Sequence, residues 1–156
     1  MHPAELKALY ERDFAAWAEK TAYLLEHQQF EQLDLPNLIE EVWDLSKRER
    51  DRLLSSLRLI LHHLLKWQYQ PMLQSTSWEN TIYRERLNLQ SYLEDSPSLK
   101  RYLEPETIGK AYRLARMEAI KETRLDQKLF PDDCPYSVEQ ILELEFWPKA
   151  DSSADP

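Results

Sequence analysis

One glycine, Gly109, occurs in 156 residues, where about 7% would be ordinary. Glycine supplies the left-handed turns of hairpins and the backbone of phosphate loops. A lone glycine therefore excludes a Rossmann fingerprint and a Walker loop. One cysteine, Cys134, excludes an internal disulfide and any cysteine zinc cluster. Apolar runs are too short to span a bilayer, and residues 1–14 hold no apolar stretch of the kind a signal peptide needs. A cytoplasmic protein without a membrane association is expected. Basic charge is also scarce: 20 Lys and Arg face 28 Asp and Glu, a net charge of -8. Phosphate binding needs a basic surface, so nucleic acid is a disfavoured partner. The run Lys47, Arg48, Arg50, Arg52 is interleaved with Glu49 and Asp51 and reads as a solvated helix face.

What is present is a soluble globular balance, 42% hydrophobic and 31% charged, in a chain long enough for one domain with a core. Helical periodicity recurs and strand alternation does not. The pattern predicts an all-α, single-domain bundle of about five helices around one long helix, over residues 1–148. Residues 149–156, small and polar, read as a disordered tail. A first helix fits residues 3–27, with Leu6, Tyr10, Phe14, Trp17, Thr21 and Leu24 on one face. Asp34 and Pro36 read as a cap and a first-turn proline. No proline or glycine follows until Pro71, so residues 36–70 form one helix, or two with a break near Ser46. Further helices fit 77–92 and 105–124, with a short helical piece at 97–103. Ser137 and Gln140 have capping-box spacing for a last short helix to about residue 145.

Several ordered segments resemble a known family. They are YERDFAAWAEKTAYLLEHQQFEQLDLPNLIEEV (10–42), HLLKWQYQP (63–71), SWENTIYRERLNL (77–89), DSPSL (95–99) and FPDDCPYSVEQIL (130–142). Together they resemble the bacterial family called domain of unknown function 29, over roughly residues 8–148. The resemblance implies an all-helical fold in a bacterial cytoplasm. It implies no activity, no cofactor and no catalytic residue.

The helical wheel places the polar residues. At 100° per residue, one stripe of the long helix carries Leu35, Ile39, Val42, Trp43, Leu53, Leu54, Leu57, Ile60, Leu61, Leu64 and Trp67. Arg50 interrupts it and His63 borders it, while His62 and Lys66 point away. The wheel therefore puts His63 and Trp67 inside and leaves His62 and Lys66 wet. Asp13 falls in the middle of the first helix's apolar face. Glu85 and Arg86 share a face with Trp78, Ile82, Leu89 and Leu93. Glu118 and Glu122 border a stripe of Ile108, Ala111, Tyr112, Ala115 and Ala119. Unpaired buried charge costs several kcal/mol. Asp13, Glu118 and Glu122 are therefore expected to meet Arg50, Arg86 or His63 across the core.

That polar cluster, Asp13, Arg50, His63, Arg86, Glu118 and Glu122, is the candidate site. It reads either as an ion-pair network that sets register or as an acid-base or metal-binding group. Glu-x-x-His pairs, HExxH and Cys/His metal spacings are absent, so no metal and no cofactor is assigned. Neither Ser55 nor Ser56 has the context of a nucleophile. Eight tyrosines, five tryptophans and four phenylalanines exceed the need of a small core, and Tyr69, Tyr83 and Trp147 are expected to reach the surface. The functional reading is a helical interaction module, an adaptor or antitoxin-like protein, whose partner is another protein or a second copy of itself. The alternative is a metal-dependent hydrolase using the carboxylates and His63.

Overall fold

The computed structural model describes residues 2–151, and among them it contains six α-helices, four 3-10 turns and no strand. The helices are α1 (Pro3–Arg12), α2 (Phe14–Glu26), α3 (Leu35–Tyr69), α4 (Thr76–Asp95), α5 (Pro105–Thr123) and α6 (Val138–Leu142). The all-α architecture and the long central helix are as expected. No break occurs near Ser46, and α3 runs unbroken for 35 residues. The described chain forms two compact units, Met1–Arg48 and Glu49–Pro156, whose boundary falls inside α3.

In the first unit the expected single helix over residues 3–27 is two helices. Asp13 separates them: its backbone leaves the helical region, closing α1, and its carboxylate accepts from Ala16 N at 3.1 Å to cap α2. A short acceptor side chain competes with the helix ladder for backbone donors, and capping wins. The unit's core is Leu6, Trp17, Leu24 and Leu33, with Leu9, Tyr10, Ala18 and Leu38 packed around it. Asp34 is buried just before α3, accepting from Trp17 Nε1 at 3.2 Å and from Asn37 Nδ2 at 2.7 Å. Tyr10 donates to Glu41 at 2.6 Å, which raises the phenol to about 12 because a carboxylate already holds its proton.

The second unit holds the larger core, Leu53, Leu57, Ile60, Leu61 and Leu64 of α3 against Ile82 and Leu89 of α4 and the alanine-rich face of α5. Prolines and caps set the element ends as the sequence suggests. Pro105 opens α5, and Ser137 and Gln140 close a full capping box on α6. The left-handed positions are taken by Gln28 and Arg124, while Gly109 lies inside α5. Arg116 pins the loop after α5, donating to the carbonyls of Gln127 at 2.8 Å and Pro131 at 3.0 Å. Of the tail, Asp151 N donates to Gln68 O at 2.7 Å, and residues 152–156 lie outside the described residues.

Candidate functional site

The charged side chains of the second unit meet along a face of α3 that the single-stripe wheel leaves to solvent. Ala111, Ala115 and Ala119 recur every fourth residue on α5 and are buried. Arg58, His62 and Lys66 repeat with the same spacing on α3, and Glu118 and Glu122 on α5. Residues four apart stack on one helix face, which sets a basic ladder against an acidic one. Glu118 lies 3.4 Å from Arg58 Nε and 3.2 Å from His62 Nδ1. Glu122 lies 2.6 Å from His62 Nε2 and 2.9 Å from Lys66 Nζ. A carboxylate only accepts, so His62 Nε2 donates to Glu122. Burial pushes the Glu122 carboxyl up, but the hydrogen bond and charge of Lys66, followed by those of His62, outweigh it and leave it below its usual value.

The wheel's assignment of the two histidines is thereby reversed. His62 and Lys66 are buried, and Lys66 Nζ also sits 4.6 Å above the Trp78 ring. His63 and Trp67 are half-buried. His63 Nδ1 donates to the Leu59 carbonyl at 2.9 Å, and burial lowers its basicity. A helix inside a bundle is covered on more than one side, so one apolar stripe does not mark its whole interior.

The other expected pairings do not form. Asp13 is exposed and caps α2. Arg50 reaches only Asp51, its chain neighbour, at 3.3 Å. Arg86 is fully buried as expected, but no carboxylate meets it. It donates to the carbonyls of Ile141 at 2.8 Å, Phe146 at 2.9 Å and Gln140 at 3.0 Å, holding α6 and the segment after it. Desolvation brings its guanidinium down to about 10. Glu118 and Glu122 do pair, with Arg58, His62 and Lys66 instead of Arg50, Arg86 or His63. The matched four-residue spacing of 58, 62 and 66 with 118 and 122 is the signal that could have found them.

A second buried pair joins α3 to α4, Ser56 Oγ donating to Glu85 at 2.7 Å with Asn88 at 3.3 Å. Every oxygen of Glu118 and Glu122 faces a nitrogen of Arg58, His62 or Lys66. Among the described residues no group of three or more His, Cys, Asp or Glu side chains is placed to hold a metal ion. The arrangement is suited to fastening α3 to α5.

The first unit presents the opposite kind of feature. Leu35, Ile39, Val42, Trp43 and Leu45 of α3 are between 51% and 64% exposed. Leu38, in contrast, turns to the core of α1 and α2, and Glu41 to Tyr10. Phe14, Tyr23 and Phe30 of the same unit are also exposed. Of the aromatics expected at the surface, Tyr83 is exposed, Tyr69 is buried against Phe130, and Trp147 is half-buried beside Trp67.

Comparison with curated proteins and with solved structures gives no match. The family model described as Domain of unknown function DUF29 matches residues 9–147. That span covers most of both compact units and all of α2 to α6, so the chain belongs to the DUF29 family.

Proposed function

We propose that this protein is a helical interaction module of the bacterial cytoplasm, an adaptor or antitoxin-like protein that docks another protein on the first half of α3. One observation carries this reading: Leu35, Ile39, Val42 and Trp43 fall on one face of consecutive turns and are each more than half exposed. Contiguous exposed apolar surface of this kind marks interaction sites, and a tryptophan among aliphatic residues is a typical anchor. The net charge of -8 weighs against a nucleic-acid partner. The hydrolase alternative would need free carboxylates, yet those of Glu118 and Glu122 are engaged by Arg58, His62 and Lys66.

The test is a photo-crosslinking amino acid at position 43 in the native host, with position 83 as the exposed control on the second unit. A defined adduct from position 43, lost on Ile39→Glu while the melting temperature holds, is the expected result. No adduct, or equal adducts from both positions untouched by Ile39→Glu, would overturn the reading.

A further inference from the structure

We infer that the occupant of this face is a second copy of the chain, lying antiparallel on α3 with a two-fold axis beside Ile39. The inference rests on the interaction reading above and names its partner. Its ground is the symmetry of the stripe itself. Leu35 and Trp43 stand four residues either side of Ile39, and Pro36 and Val42 three residues either side. On the wheel, Leu35 and Val42 lie toward one edge of the stripe. Pro36 and Trp43 lie toward the other, and Ile39 lies between.

A two-fold that reverses the helix direction preserves those edges. It brings Ile39 against its own mate, Val42 against Leu35 of the second copy, and Trp43 over Pro36. Every apolar group then meets an apolar group, which is the self-complementarity an isologous interface requires. Eight large side chains, each more than half exposed, cover on the order of 1,000 Å² with their surroundings, the lower bound of a specific interface. Reversal also carries Lys47 toward the end of the second copy that holds exposed Glu31, whereas parallel helices would stack Lys47 on Lys47. Glu40 lies near the axis against its own mate, a like-charge contact that limits affinity.

The test uses the full chain with Cys134→Ser, in sedimentation and light scattering across a range of concentrations. At tens of micromolar the expected mass is twice that of the chain, and Ile39→Glu returns it to one copy with its helical circular dichroism retained. Glu40→Gln, by removing the like charges, should tighten association several-fold. Ile39→Cys should close an intermolecular disulfide in redox buffer. Leu45→Cys should not, since its mate lies about 18 Å away along the helix, beyond disulfide reach. A single-copy mass at every concentration, or equal cross-linking from both cysteines, would overturn the inference. A single-copy mass alongside a host adduct at position 43 would discard the second copy and keep the interaction reading. Loss of both would discard both.

Discussion

His62 Nε2 lies 2.6 Å from Glu122 Oε2, and the other oxygen of that carboxylate is 2.9 Å from Lys66 Nζ. One half-exposed glutamate on α5 therefore partners two buried groups on α3. Removing it should cost more than its own exposure suggests, because the groups left behind cannot reach water. Glu122→Gln is expected to destabilise by about 1–3 kcal/mol, the range for stranding buried donors. Lys66→Met, which takes away the charge together with its need for a partner, should cost less. Urea denaturation of the two variants checks the order, and a cheaper Glu122→Gln would show that the ladder does not hold α3 to α5.

Arg86 supplies a second expectation. Its guanidinium satisfies four carbonyls, on Gln140, Ile141, Leu144 and Phe146, and a planar fork of donors is what allows this. Arg86→Met should destabilise by about 3 kcal/mol or more, since each charged hydrogen bond contributes roughly 1.5–3 kcal/mol. Arg86→Lys should recover only part of that loss. Limited proteolysis should cut first near residues 140–150 in both variants. Cleavage elsewhere would mean that α6 is held by its apolar contacts alone.

Gly109 sits inside α5, where a Cβ would meet only Arg113 Nη1, at an ordinary 3.7 Å. Nothing at this position requires glycine. Gly109→Ala should stabilise the protein by roughly 0.5–1 kcal/mol through lower chain entropy in the unfolded state. A lower melting temperature would show that the open side of the residue is needed for something the fold does not reveal.

Stability should also decline in two steps as pH falls. Burial holds His63 below its ordinary 6.5, so the unfolded chain takes up that proton first. Its contribution is intact above pH 6.5 and is lost as pH drops below it. Glu122 and Glu85 are both held below 4.5. Burial opposes this in each, but Lys66 and His62 outweigh it for Glu122, and Ser56, Asn88 and Arg84 for Glu85. Their contribution is present above 4.5 and lost as pH falls further. Denaturant midpoints measured against pH should show both limbs, and His63→Gln should flatten the first only.

Most of the helices and their ends are legible in the sequence alone. Pro105, Pro71, the Ser137–Gln140 capping box and the scarcity of glycine act within a turn or two of the chain, where spacing can be read directly. It also identified Arg86, Glu85, Glu118 and Glu122 as charges on or beside apolar stripes. Their partners depend on how the helices pack. Asp13 was drawn out of its expected face because capping α2 satisfies a backbone donor locally. His62 and Lys66 came inside because the glutamates of α5 meet them along that side of α3. The stripe that buries Leu53, Leu57, Ile60 and Leu64 also carries Leu35, Ile39, Val42 and Trp43 beyond Arg50, yet the latter stand exposed. A wheel ranks the faces of a helix by polarity, but which faces are covered depends on where the other helices pack.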